Sequence, residues 1–175
     1  MRLGADTEQL LQHTVQPWWV LHTRARHEKA VVAELSRQNI HCYLPLVRVP
    51  RSYGRRHVVA ELPLFPGYVF LNGGPPACEV ARRTNRVASI LAVGDQDGLR
   101  AELRQIQRVV ESGAPTELCP GLREGRRCRV IGGSLKGLEG VVLRRQRRYR
   151  LHLAVTILGQ SAVVEIDGAL VEPID

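Results

Sequence analysis

The sequence predicts an α+β fold: an N-terminal antiparallel sheet flanked by helices, linked to a small all-β barrel of about five strands. Three observations carry this. Strand and helix patterns alternate up to residue 112. The stretch APTELCPGLREG then sets two prolines and two glycines between patterned segments. Beyond it the apolar period is two throughout. The boundaries that follow are an extension over 1–16, a first domain over 17–112, a linker over 113–121 that leaves its flanking domains free to move, and a second domain over 122–175.

In the first domain, WWVLHT is rich in strand formers and predicts the opening strand. RARHEKAVVAELSRQN carries Ala30, Val31, Leu35 and Gln38 at helical spacing. A narrow apolar face with a charged back suits a helix lying on a sheet, and Asn39 can end it left-handed. HCYLPLVRV and HVVAEL, joined by RSYGRR, predict a long basic hairpin. LPLFPGYVFL is apolar yet broken by two prolines, which predicts an edge strand entered through a hinge. By alternation Tyr68 and Phe70 share one face of it. A short helix over ACEVARRTNRV and a strand over ASILAVG follow. DGLRAELRQIQRVVESG is a helix capped by Asp97 and ended by Gly113, with Leu99, Leu103, Ile106 and Val110 as its stripe. In the second domain RRCRVIGG, GLEGVVLRR, RYRLHLAVTIL, SAVVEID and ALVEPI are the strands. HLAVTILGQSAVVEID is β-branched enough to hold that state.

Lys+Arg number 25 against 17 Asp+Glu, a formal charge of +8 over 175 residues with 44% apolar content. That balance favours a polyanionic partner. Residues 123–150 hold ten Lys/Arg against Glu124 and Glu139. The four cysteines form no C-x-x-C pair, so reduced thiols are expected, with no metal and no cofactor. No stretch reaches membrane-spanning length, and MRLGADTEQLLQHTVQP lacks the apolar core of a signal peptide, so a cytoplasmic protein is expected. Phosphate-cradling glycine loops, G-x-S-x-G and H-E-x-x-H are all missing, and His27 and Glu28, adjacent on a helix, point apart. The chain reads as no enzyme.

WWVLHTRARHEKAVVAEL, then YLPL, then LPLFPGYVFL resembles the N-terminal domain of NusG-type transcription elongation factors. GRRCRVIGGSLKGLEGVVLRR with LAVTILGQSAVVEID resembles the KOW motif and its SH3-like barrel. LSRQNIHCYLPLV with LPLFPGYVF is similar to RfaH and the antiterminators of polysaccharide operons, so a specialised paralogue is expected. The resemblance implies a monomer that binds the clamp helices of RNA polymerase, contacts non-template DNA, suppresses pausing or termination, and recruits a second partner, ribosomal protein S10 or the termination factor Rho, through the KOW domain. The alternative is a ribosome-associated KOW protein that binds RNA through Arg144, Arg145, Arg147 and Arg148.

On that resemblance the polymerase-binding residues are Tyr68, Phe70, Val93 and Trp19, with Arg82 and Arg83 toward the opposite side of the cleft; Trp19 has the core as its alternative. Arg24, Arg26 and His27, with Arg51, Arg55 and Arg56 at the hairpin tip, face nucleic acid. Ile157, Leu158, Gly159 and Gln160 match the family's I-F-G-R partner loop, with leucine in place of phenylalanine and glutamine in place of arginine.

Overall fold

The computed structural model describes residues 11, 15–120, 125–145 and 148–174. Most of the expected extension, residues 121–124 and Arg147 lie outside them. In chain order the elements are β1 (Trp18–Thr23), α1 (Glu28–Arg37), β2 (His41–Tyr43), β3 (Leu46–Tyr53), β4 (Arg56–Pro63), β5 (Tyr68–Asn72), α2 (Pro75–Arg83), β6 (Val87–Ala92) and α3 (Gln96–Ser112). Then come β7 (Thr116–Pro120), β8 (Arg126–Val130), β9 (Glu139–Arg145), β10 (Arg148–Val155), a 3-10 turn (Thr156–Leu158), β11 (Gln160–Ile166), a second 3-10 turn (Gly168–Leu170) and β12 (Val171–Pro173). No helix among the described residues is long and apolar enough to cross a membrane. The chain divides into two compact units, one of residues 1–45 and 65–100, the other of 46–64 and 101–175.

The first unit is an antiparallel sheet in the order β2-β5-β1-β6. Leu21, Val69 and Leu71 point to one face, where they meet Val31, Val32 and Leu35 of α1 and Cys78 and Ala81 of α2. Burying each large aliphatic side chain here contributes about 1.5–3 kcal/mol. α1 starts at Glu28, four residues after the start of the segment expected to form it, because Arg26 turns left-handed (φ 65°) just before it. Asn39 (φ 56°) ends it as expected. Glu28, almost fully buried, accepts a hydrogen bond from the Gly67 N–H at 2.7 Å and so ties α1 to the turn ahead of β5.

β5 corrects one expectation. It lies between β2 and β1 and is an inner strand, not an edge. Both prolines precede it: Pro63 ends β4, and Pro66 and Gly67 (φ 85°) form the turn closed by Tyr68 N donating to Phe65 O. A proline outside the ladder removes no ladder hydrogen bond. Asp95, not Asp97, caps α3, its carboxylate accepting from Gly98 N at 2.8 Å. Leu99, Leu103, Ile106 and Val109 are its buried stripe, and Gly113 (φ 68°) follows its end.

In the second unit β3 and β4 pair over their whole length around a two-residue turn, Gly54-Arg55, with Gly54 at φ 61°. The other sheet runs β12-β8-β9-β10-β11-β7. Among the described residues it has six strands where five were expected, and its two end strands do not pair with each other, so these strands form no closed barrel. The extra strand, β7, comes from the segment expected to be linker and pairs with β11 from Thr116↔Val164 to Pro120↔Gln160. Its prolines hid it, yet an edge strand tolerates proline because one side makes no ladder bonds. The α3 residues in this unit are fastened to the sheet by three side chains. Glu102 accepts from Thr156 N at 3.0 Å, Gln105 accepts from Glu139 N at 2.6 Å, and Arg108 donates to Lys136 O.

Candidate functional site

The face of the first sheet turned away from α1 and α2 is built in cross-strand rows. Val20, Phe70 and Tyr43 form one row, and His22, Tyr68 and Ser89 the next. Tyr68 and Phe70 therefore share a face, as alternation requires. Their surroundings differ. Phe70 is 0% exposed, with the Phe65 ring edge-on at 6.4 Å and the Tyr43 ring at 6.3 Å. Tyr68 is half-buried and stacks on the exposed His22 ring, centroids 5.2 Å apart at 24°. The expectation of an outward Phe70 fails because two neighbouring aromatics enclose it. Trp18, fully buried, also belongs to this face by alternation.

Trp19 lies on the other face. It packs against the helix-side core, half-buried, and its indole N–H donates to Gly73 O at 2.9 Å. Val93 follows β6, half-buried, with its carbonyl accepting from Gln96 at 3.0 Å. The expected apolar set is thus not one pocket. His22 is the residue that sequence reasoning missed. Two steps of alternation from Trp18 through Val20 reach it, but its pairing with Tyr68 needs the register.

The basic residues form separate groups. Arg24 and Arg26 are exposed between β1 and α1, and Arg24 N donates to Arg86 O at 2.8 Å. His27 is half-buried, its Nδ1 accepting from Arg86 Nη1 at 2.9 Å, while Arg86 also lies 3.5 Å from Glu34. Arg82 and Arg83 are exposed in the last turn of α2, and Arg82 pairs with Glu79. Arg51, Arg55 and Arg56 are exposed around the hairpin turn. That hairpin also leaves Val59 66% exposed beside the Arg48–Glu61 pair (3.6 Å) and the Ser52–His57 contact (3.0 Å).

In the second unit Ile157 and Leu158 are half-buried in the 3-10 turn. Gly159 takes the left-handed conformation (φ 60°, ψ 30°) that turns the chain into β11. Gln160 opens that strand, half-buried. The loop is a shaped corner held at Thr156 by Glu102, not a loose apolar tip. Arg144 is exposed with its guanidinium 5.9 Å above the Tyr149 ring. Cys42 is half-buried, but its side chain packs against the helix-side core, and that burial pushes its thiol up to about 12.

A family model described as "Transcription termination factor nusG" matches residues 16–118. A solved structure described as "Domain interaction in Thermotoga maritima NusG" is similar to 91% of this chain and 98% of its own, at 20% identity and a TM-score of 0.50. A structure of the MjSpt4:Spt5 complex covers 90% of this chain and 98% of its own, at 12% identity and a TM-score of 0.28. A second conformation of that complex covers 90% and 97% at 14% identity, also with a TM-score of 0.28. Among curated proteins none matches the sequence. NusG-type proteins are non-catalytic regulators that act in transcription elongation, and the alternation of sheet and helices over residues 18–112 is the part that the family model covers. With more than half of its length matched by that model, the chain belongs to the NusG family.

Proposed function

We propose that this protein is a specialised elongation and antitermination factor that binds the clamp helices of RNA polymerase through the Tyr68 end of its first sheet. The observation that carries this reading is the His22–Tyr68 stack, partly exposed at the end of an otherwise buried aromatic row. A large ring with one wet edge and one dry face suits a protein contact. Phe70 then acts from behind the surface, holding the strand that presents Tyr68. Trp19 keeps its strand in place through the core, and Val93 borders the surface. Arg82 and Arg83 reach across the cleft. Arg24, Arg26 and the hairpin arginines Arg51, Arg55 and Arg56 meet the phosphates of non-template DNA. Ile157, Leu158, Gly159 and Gln160 present the corner that recruits the second partner, ribosomal protein S10 or Rho.

The decisive experiment is Tyr68→Asp in the full chain. A charge placed in a contact that must lose its water costs several kcal/mol, so polymerase binding should fall by more than about a hundredfold and relief of pausing should vanish. Circular dichroism confirms folding, which a half-exposed position should tolerate. Undiminished binding by the folded variant would remove Tyr68 from the interface and overturn the assignment.

A further inference from the structure

Tyr68 follows a residue with wide conformational freedom. Gly67 sits at φ 85°, a conformation open to glycine and strained for other residues. A glycine at this point has many alternatives, and each would swing the Tyr68 ring elsewhere. Two hydrogen bonds remove them, one on either side of its Cα. Its N–H donates to Glu28 Oε1 at 2.7 Å, and its carbonyl accepts from Thr23 N at 2.8 Å. The first constrains φ and the second ψ. The His22 ring lies over the same glycine. A Cβ added there would stand 3.7 Å from the imidazole Cδ2 and 3.8 Å from Nε2. The His22–Tyr68 stack therefore rests on Gly67.

The two bonds differ in origin. The Thr23 bond continues the β1–β5 register that sets His22 opposite Tyr68. The Glu28 bond comes from the first residue of α1, 39 residues away in the chain. Glu28 is 5% exposed, and taking a carboxylate out of water is costly unless it is hydrogen-bonded. Here it meets the Gly67 N–H, with the positive end of α1 behind it, where the N-cap His27 makes no side-chain cap bond. Any exposed acidic side chain in that first turn could serve the helix. Reaching Gly67 takes the full length of a glutamate.

We propose that Glu28 is a positioning residue for the polymerase contact. Through Gly67 it holds Tyr68 in the orientation that stacks on His22 and presents the pair. This rests on the reading of Tyr68 given above, and it gives a buried acid on the helix-covered side a part in binding on the opposite face.

Two substitutions in the full chain separate positioning from support of the helix. Glu28→Gln keeps the length and an acceptor oxygen but takes the charge from the first turn of α1. Glu28→Asp keeps the charge but is shorter by one carbon–carbon bond, about 1.5 Å, which breaks a contact of 2.7 Å. Proton NMR reads the stack directly, in the ring-current shift of the His22 imidazole protons and their cross-peaks to Tyr68. Both signals should persist in Glu28→Gln and be lost in Glu28→Asp. Polymerase affinity should follow, parental for Gln and about tenfold weaker for Asp, with both variants folded by circular dichroism. Support of α1 alone predicts the opposite order, with Asp as stable as the parent, Gln weakened and the stack intact in both. A Glu28→Asp variant that keeps the stack would overturn the proposal. So would a stack lost equally in Glu28→Gln, since charge and not reach would then be what matters. Loss of the stack in Glu28→Asp with unchanged affinity would break the link to binding. Undiminished binding by Tyr68→Asp marks a different failure, that of the polymerase reading itself.

Discussion

Phe70 and Tyr68 sit two residues apart on one strand face, and replacing each by alanine should separate stability from binding. Phe70 is 0% exposed and enclosed by the Phe65 and Tyr43 rings. Removing such a ring leaves a cavity that neighbouring rings fill only in part, at a cost of about 3–5 kcal/mol. Tyr68 is half-buried and stacks on the exposed His22 ring. Its removal forfeits the stack, about 0.5–1.5 kcal/mol, and little else. Both tryptophans lie in β1, so tryptophan emission reports the unfolding of the first unit alone. In a unit of about 80 residues each kcal/mol moves the midpoint by roughly 4–8 °C. Phe70→Ala should therefore lower that midpoint by roughly 12 °C or more, and Tyr68→Ala by less than half as much as Phe70→Ala does. Below the midpoint, the ordering should reverse in polymerase binding, with Tyr68→Ala the weaker binder. Equal destabilisation by the two changes would refute the division of the strand into a buried ring and a presented one.

Cys42 provides a pH-dependent prediction. Burial raises its folded-state value from 9.0 to about 12, while the unfolded thiol keeps its ordinary value. Below pH 9 both states hold the proton and stability is unaffected. As pH climbs from about 9 toward 12 the unfolded chain sheds a proton that the folded chain retains, so stability falls. Cys42→Ala should remove that alkaline part of the decline in urea titrations, and native Cys42 should resist alkylation at pH 8 that labels it in the unfolded chain. Gly140→Ala should destabilise the second unit by about 3 kcal/mol, because an added Cβ would lie 2.4 Å from the His152 carbonyl oxygen of the neighbouring strand. Gly159→Ala, with nothing within 4 Å of its Cβ, should cost only the left-handed strain of about 1–2 kcal/mol. Far-ultraviolet dichroism in urea compares the two.

The elements whose signals are local were legible. Alternation gave β8 to β12, and a 3.6-residue period gave α1 and α3 with the residues that end them, Asn39 and Gly113. What failed depends on partners distant in sequence. TELCP has a proline at its end and another just before it and no alternating run, so nothing within it says that β11 lies alongside. LPLFPGYVFL looked flawed as an inner strand only while its prolines were counted inside the ladder. The turn that excludes them is closed by Gly67 and by Glu28, which lies 39 residues earlier. The shift of the α3 cap from Asp97 to Asp95 is of another kind. Both aspartates can cap, and the choice follows from where β6 releases the chain.

The same division between local and distant information governs the site. Period-two alternation ties Tyr68 to Phe70 and cannot say which of them meets solvent. That is decided by Phe65 and Tyr43, which converge on Phe70 and leave Tyr68 open. It is decided as well by the β1–β5 register, which sets His22 opposite Tyr68 instead of one residue away. A one-residue slip in that register would put His22 beside Val69 or Gly67 and carry the whole of β1 to the wrong face, burying nothing that α1 and α2 need covered. The register that closes the core is therefore the one that builds the surface pair. The proposed contact surface rests on two stacked rings, which would concentrate its binding energy in few atoms. Changes at Tyr68 and His22 should consequently be steep for binding while leaving the helix-side core, which holds the fold, untouched.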